Sequence, residues 1–221
     1  MTMDEFEKAE TRSFLYKLLA VSFAYPTEEL VAALTREEYW RDLDQLFFDI
    51  DPSGTMAEIT RRFKPDISSE AAGGKEGMEI EYNRLFQLSQ SLPCPLTASE
   101  YMKGESRQAL AVAQLNGLYK SFGVKMKNLK EPDNLSTVLE FMSWLCAKQA
   151  RAIEQGNEEH KASCLRAQEI ILEDYLGWVP LLQDGIRTNA ELKHYLWLVA
   201  CLVEFIKLER RDLLAMAGTA V

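Results

Sequence analysis

A chain of 221 residues, of which 47% are hydrophobic, is long enough to bury a sizeable core within one domain. It has only seven prolines and eleven glycines, which favours long uninterrupted helices over a turn-rich β-protein. The formal net charge of −9 argues against nucleic acid as a main partner, because an acidic chain repels phosphate groups. The same charge would steer a basic peptide towards the chain, or it simply maintains solubility.

Nothing in the sequence predicts export or insertion into a membrane. The N-terminus is acidic and lacks a basic region followed by an apolar stretch, so it differs from a secretory signal. The longest apolar run, 196–206, is interrupted by Glu204 and is too short to span a bilayer. We therefore expect a cytoplasmic protein. No CxxC pair is present, and we expect four buried, reduced thiols: Cys94, Cys146, Cys164 and Cys201.

Apolar residues recur at helical spacing along most of the chain, which predicts an all-α fold of about eight to ten helices. The first helix is predicted over about 4–23, with Phe14 on its apolar face, and it ends before Pro26. Thr35 and Glu38 resemble a capping box that opens a second helix. A shorter helix over about 53–63 follows.

The stretch 64–77 is predicted as a flexible linker or loop, because it is poor in apolar residues and holds three of the eleven glycines. It would separate a set of N-terminal helices (1–63) from a larger helical part (78–221). A loop within a single domain is favoured over a hinge, because the N-terminal part alone is too small for a good core. Such a linker would also permit helix exchange between chains, so a monomer and a domain-swapped dimer both remain open.

Five further helices and one irregular loop are predicted after this stretch. A short helix over 78–88 precedes an irregular loop at 91–99, in which two prolines restrict the backbone. Longer helices are predicted from about 105, 133, 158 and 189. Glycine in the left-handed conformation is a common helix stop, and three of these helices reach one: Gly123, Gly156 and Gly177.

No set of residues that could run a reaction is recognisable. Glu191 and His194 form one ExxH pair, whereas a di-iron helical bundle needs two, and His194 is expected to be partly exposed near a helix start. The sequence has no GxSxG nucleophile elbow and no phosphate-binding P-loop. We therefore expect no catalytic residue, no metal and no cofactor. A helical enzyme with an unfamiliar metal or nucleotide site is the alternative.

Three segments are unusual for pure scaffold. The first, 81–86 (EYNRLF), runs into the proline-rich loop and Tyr101. The second, 131–135 (EPDNL), places Asp133 where it is predicted to cap the following helix, with Pro132 restricting the approach. The third, 175–180 (YLGWVP), is an aromatic and proline junction between helices.

Taken in this order, the segments resemble the TorD/DmsD/NarJ-type chaperones, which mature molybdenum-cofactor oxidoreductases. The resemblance covers about 81–182 and rests on an ordered set of short motifs: Tyr82, Arg84, Leu85 and Phe86; Pro93, Pro95 and Tyr101; Tyr119, Phe122 and Gly123; Glu131, Pro132 and Asp133; Leu139, Glu140, Phe141 and Met142; Trp178 and Pro180. Asn134 replaces the histidine that follows E-P-D in the family, which removes a titratable group from a position linked to ligand binding.

The resemblance implies a non-catalytic cytoplasmic chaperone that binds the catalytic subunit of a molybdopterin oxidoreductase. Many such chaperones shield the client's twin-arginine signal peptide until the cofactor is inserted. That peptide has a basic start and an apolar middle, so its binder needs carboxylates beside an apolar groove. The residues expected to bind it are Asp133, Glu131, Asn134, Pro132, Tyr82, Leu85, Phe86, Pro95 and Tyr101. The alternative is a NarJ-like assembly factor for a reductase subunit that is not exported.

Overall fold

A computed structural model describes residues 3–87, 92–124 and 131–218 of the chain. Within these ranges the secondary structure consists of ten α-helices, one short 3-10 helix (Ala98–Tyr101) and one π-helical segment (Ile171–Tyr175), without a β-strand. The prediction of an all-α fold with eight to ten helices is confirmed. The α-helices are α1 (Glu5–Ser22), α2 (Glu28–Leu34), α3 (Glu37–Ile50), α4 (Thr55–Ala72), α5 (Lys75–Phe86), α6 (Glu105–Ser121), α7 (Leu135–Glu154), α8 (Glu158–Ile170), α9 (Val179–Asn189) and α10 (Lys193–Gly218).

The helices form two compact units. The first unit contains α2 to α5, α9 and α10, and the second unit contains α1 and α6 to α8. The chain passes between the units after residues 3, 20, 95 and 178. None of these positions lies in the stretch 64–77.

The predicted linker is helical, which corrects the expectation of a flexible loop. Helix α4 continues from Thr55 through Pro65 to Ala72, and only Gly73 and Gly74 separate it from α5. Ile67 and Ala71 are buried, so they extend the apolar face of the first half of α4 at helical spacing. Their burial outweighs the missing backbone donor of the proline. The argument for helix exchange therefore loses the linker on which it rested.

In the first unit, a carboxylate from α4 holds the start of α10. Glu70 on α4 accepts hydrogen bonds from the backbone N–H groups of Lys193 (2.7 Å) and His194 (3.1 Å). Further along the same helices, the indole N–H of Trp197 donates to the hydroxyl of Thr60 (3.0 Å). These contacts satisfy donors that a helix N-terminus leaves unpaired, and they attach α10 to α4.

Helix α2 was missed from the sequence, and the predicted capping box was wrong. Thr27 caps α2 by accepting a hydrogen bond from the backbone N–H of Leu30 (3.2 Å). Thr35 follows the end of α2, where its hydroxyl donates to the carbonyl of Ala32 (2.9 Å). The residue before α3 is Arg36, whose side chain makes no capping bond. A threonine that closes one helix was therefore mistaken for one that opens the next.

The second unit has a buried polar contact between α1, α7 and α8. Arg12 is only 2% exposed, and its guanidinium donates to the side-chain carbonyls of Gln149 (3.2 Å) and Gln168 (2.6 Å). Gln168 in turn donates to Gln149 (3.0 Å). On the outer side of α1, Phe14 is 61% exposed, so the prediction that it lies on the apolar face was wrong.

Candidate functional site

Two of the motif-bearing segments lie side by side in the second unit. The backbone N–H of Leu135 donates to the carbonyl of Leu96 (2.7 Å), and that of Ala98 donates to the carbonyl of Asp133 (3.1 Å). Thr97 and Asn134 thereby form an isolated antiparallel bridge. We call residues 96–99 and 131–135 the paired segments. Their pairing gives the second half of the proline-rich loop a defined position against the E-P-D-N sequence.

Asp133 is built into this pairing and does not cap the following helix as predicted. Its side chain is 4% exposed, and Oδ2 accepts a hydrogen bond from the backbone N–H of Ser99 (2.8 Å). Asn134 is the cap of α7, because its Oδ1 accepts from the backbone N–H of Ser136 (3.0 Å). The residue that departs from the family pattern therefore has a clear local role, since asparagine is a strong N-cap residue.

Glu131 and Pro132 have opposite environments. Glu131 is exposed, and its carboxylate accepts a long hydrogen bond from the side-chain amide of Asn134 (3.5 Å). Pro132 is buried, and its carbonyl accepts from the hydroxyl of Tyr119 (2.7 Å). Burial raises the pKa of Tyr119, and the nearby Asp133 carboxylate raises it further. Tyr119 therefore stays protonated and remains a hydrogen-bond donor. Of the two carboxylates in the paired segments, Glu131 is the exposed one, so an external cation can reach it.

Tyr101 belongs to the same part of the second unit. Its ring stacks on that of Trp178, with centroids 4.5 Å apart and an angle of 20° between the planes. The indole N–H of Trp178 donates to the backbone carbonyl of Tyr175 (2.8 Å), and the hydroxyl of Tyr175 donates to the backbone carbonyl of Ala111 (2.9 Å). The aromatic segment 175–180 therefore packs against Tyr101, one of the predicted binding residues.

The other predicted binding residues lie in the first unit, mostly in its interior. Tyr82, Leu85 and Phe86 are 6%, 0% and 5% exposed. Phe86 packs edge-on against Tyr195 at 5.3 Å between ring centroids, and the hydroxyl of Tyr82 donates to the backbone carbonyl of Phe23 (3.4 Å). This corrects the expectation that these three side chains line an open groove, because their apolar surface is already buried. Pro95 is half-buried.

A buried carboxylate that sequence reasoning missed lies beside these residues. Glu81 is 3% exposed and accepts two hydrogen bonds from the guanidinium of Arg84, at 2.7 and 2.9 Å. Its Oε1 also accepts from the backbone N–H of Glu191 (2.6 Å), and Arg84 donates to the carbonyl of Asn189 (2.6 Å). The only signal in the sequence was the i, i+3 spacing of Glu81 and Arg84, which is common on exposed helix faces.

The cysteines and His194, which were the remaining candidates for a reactive or metal-binding site, are buried in the core. Among the residues described, no group of three or more His, Cys, Asp or Glu side chains is placed to hold a metal ion. All four cysteines are buried and free, as predicted, and burial raises the pKa of Cys94 to about 11 and that of Cys201 to about 12. Neither thiol is therefore activated as a nucleophile. His194 is fully buried, which corrects the expectation of a partly exposed histidine.

No helix within the described ranges has the length and apolar content that crossing a membrane requires.

Comparison with known proteins identifies the family to which the chain belongs. Residues 49–184 match the sequence profile described as nitrate reductase delta subunit. The chain belongs to the nitrate reductase delta subunit family. This match spans all three motif-bearing segments. It also includes α4, the helix that was mistaken for a linker.

Two relatives of this nitrate reductase delta subunit family member carry informative names. The perchlorate reductase assembly chaperone protein of Dechloromonas aromatica (strain RCB) is 22% identical over 96% of this chain and 94% of its own length. The chlorate reductase assembly chaperone protein of Ideonella dechloratans is 25% identical over 56% of this chain and 65% of its own length. The predicted family and the prediction that the chain is not an enzyme are both confirmed.

A crystal structure of a candidate redox enzyme maturation protein from Archaeoglobus fulgidus is also similar. It is 20% identical in sequence, and the similarity covers 89% of this chain and 91% of that protein, with a TM-score of 0.46.

Proposed function

We propose that this chain is a cytoplasmic chaperone that binds the catalytic subunit of a molybdopterin-containing reductase during assembly, and binds its twin-arginine signal peptide until the cofactor is inserted. Membership of the nitrate reductase delta subunit family and the names of the two assembly-chaperone relatives support the general assignment. The observation that carries the residue-level proposal is the exposed carboxylate of Glu131 on the paired segments. These segments hold one of the short motifs on which the family resemblance rests.

In this proposal Glu131 and Asp133 have different roles. Glu131 is exposed and can accept charge-assisted hydrogen bonds from a client arginine. The Asp133 carboxylate bonds the backbone of Ser99, so it positions the loop and adds negative potential behind Glu131. The net charge of −9 contributes long-range attraction to a basic segment. Peptide affinity is therefore expected to depend first on Glu131, and to fall as ionic strength rises.

A peptide titration tests the role of Glu131. The purified full chain is mixed with a fluorescent peptide that has two arginines before an apolar stretch, and with the same peptide carrying two alanines instead. Glu131→Gln should weaken binding of the arginine peptide by roughly threefold to tenfold and leave the alanine peptide unaffected. Glu169→Gln is the matched control, because Glu169 is an exposed glutamate of the second unit without a described partner. Equal affinity of the wild type for both peptides would contradict the proposal.

Copurification tests the general function. A tagged chain expressed in its native host should retain the catalytic subunit of a molybdopterin reductase, and deletion of the chaperone should lower the activity of that reductase. Retention of a subunit from which the signal peptide has been deleted would favour the NarJ-like alternative. The family description names a nitrate reductase subunit, which is compatible with the NarJ-like alternative. If neither form of any molybdoenzyme copurifies and reductase activity is unchanged, the proposed function is wrong.

A further inference from the structure

The second unit has a groove that the paired segments do not form. It has a volume of about 690 Å³ and lies where the C-terminal end of α6 meets α7 and α8. Leu118, Phe122, Trp144 and Ile170 provide its apolar lining, and Lys148 and Arg166 are its basic side chains. We call it the α6–α8 groove. Ile170 is 38% exposed here, so part of the apolar surface is open to solvent.

Aromatic contacts hold the apolar lining in place before anything binds. The ring of Phe122 packs perpendicular to that of Trp144, with centroids 6.0 Å apart. Trp144 stacks on Phe141, and Phe141 packs edge-on against the buried Tyr119 at 4.6 Å. Gly123, with φ of +75°, adopts a conformation that L side chains rarely take and ends α6 beside Phe122. Binding an apolar side chain here therefore requires little ordering of the groove.

The charges in the groove select the kind of partner. The Lys148 ammonium lies 4.9 Å from the centre of the Trp144 ring, so one cation is held at the apolar lining. Neither Lys148 nor Arg166 forms a salt bridge with any residue that the structure describes. The acidic side chain in the lining is Glu159, so the two cations outnumber it. In a chain whose net charge is −9, this groove therefore carries a local excess of positive charge, which favours acidic over basic side chains.

We propose that the α6–α8 groove binds an acidic segment of a polypeptide that carries a large apolar side chain. The apolar side chain enters between Phe122, Trp144 and Ile170, and its flanking carboxylates pair with Lys148 and Arg166. This site has the opposite charge preference from the paired segments. It is therefore a second surface for a client or partner, and it does not require that Glu131 bind a signal peptide.

A fluorescence titration of the full chain tests this site. The probe is a fluorescein-labelled peptide in which glutamates flank a leucine–phenylalanine pair; the comparison peptides have lysines or serines in place of the glutamates. Trp144 is half-buried and the other three tryptophans are buried, so binding in the groove should also change the intrinsic emission. The acidic peptide should bind, and its affinity should fall between about 0.05 M and about 0.5 M NaCl. The lysine peptide should show no saturable binding.

Two double charge-reversal variants distinguish the effect of the groove's own charges on binding from the effect of the chain's net charge. Lys148→Glu with Arg166→Glu should weaken acidic-peptide binding by roughly tenfold or more, because two attractions become repulsions. Arg61→Glu with Arg187→Glu, at two exposed arginines of the first unit, makes the same change in net charge and should preserve binding. Far-ultraviolet circular dichroism checks that both variants fold. Equal losses in both variants, absence of acidic-peptide binding up to about 1 mM, or equal binding of the lysine peptide would overturn the proposal.

Discussion

Replacement of His194 tests how the interior of the first unit responds to pH. His194 is 1% exposed and packs against the rings of Tyr195 and Trp197, with centroids 5.0 and 5.8 Å away. Neither of its ring nitrogens has a hydrogen-bond partner among the residues described. Burial lowers the pKa of His194 from 6.5 to about 4, because the charged imidazolium would lose its hydration. The folded chain therefore keeps this histidine neutral at pH values where the unfolded chain protonates it.

The lowered pKa sets the sign and size of the effect on stability. Above pH 6.5 the histidine is neutral in both states and has no effect on the free energy of unfolding. Between pH 6.5 and 4 the unfolded chain binds one more proton, so the free energy of unfolding falls as the pH falls. One pKa unit corresponds to about 1.4 kcal/mol. The loss should be about 1.4 kcal/mol at pH 5.5 and should approach about 3 kcal/mol near pH 4.

Urea unfolding followed by circular dichroism measures this loss. His194→Phe keeps an aromatic ring in the same place and removes the proton-binding group. The free energy of unfolding of the variant should fall by about 1.4 kcal/mol less than that of the wild type between about pH 7.5 and about pH 5.5. His160→Gln, at a histidine that is not buried, is the control and should retain the wild-type pH dependence. Parallel pH profiles for the wild type and His194→Phe would refute the reasoning.

Three other substitutions test the proline within α4, the ion pair of Glu81 with Arg84, and the N-cap of α7, and in each case the free energy of unfolding is measured. Pro65→Ala should stabilise the chain by about 1 to 3 kcal/mol because it restores a helical hydrogen bond within α4, whereas Pro180→Ala in the first turn of α9 should change little. A loss of stability at Pro65 would mean that α4 needs its proline. Glu81→Gln should destabilise by about 2 kcal/mol because the Arg84 guanidinium and two backbone donors lose a charged acceptor, and Glu76→Gln at an exposed position should have no measurable effect. Asn134→Ala should cost about 1 kcal/mol through loss of the α7 cap, and an unchanged midpoint would show that the cap is dispensable.

Helices with periodic apolar faces and a glycine stop could be predicted from the sequence. Gly123 and Gly156 both have positive φ and follow the ends of α6 and α7, as expected of C-terminal stops, whereas the prediction for Gly177 was wrong because its φ is not positive. Helix α4 could not be predicted in full, because Pro65 and a polar surface hid the two buried positions of its second half. Tertiary burial, which local composition does not report, decides whether such a stretch is helical.

The sequence drew attention to the segment 131–135, but it did not reveal the geometry of the candidate site. Glu131 and Tyr101 are accessible to different degrees within one unit, whereas Leu85 is buried in the other. The hydrogen bond between Leu96 and Leu135 joins residues far apart in sequence, and no local pattern signals it. The burial of Asp133 follows from that long-range pairing. For this reason a carboxylate that was expected to cap a helix instead bonds Ser99 in a distant loop.

The pairing of 96–99 with 131–135 has a consequence for chain length. Because hydrogen bonds join these segments, the stretch that carries α6 leaves and returns at nearly the same place. The entropic cost of closing such a loop rises only slowly with its length. A change of length between the paired segments should therefore cost little in loop-closure free energy, provided that α6 keeps its contacts, such as the hydrogen bond from Tyr119 to Pro132. The residue at which α7 begins should then stay the same.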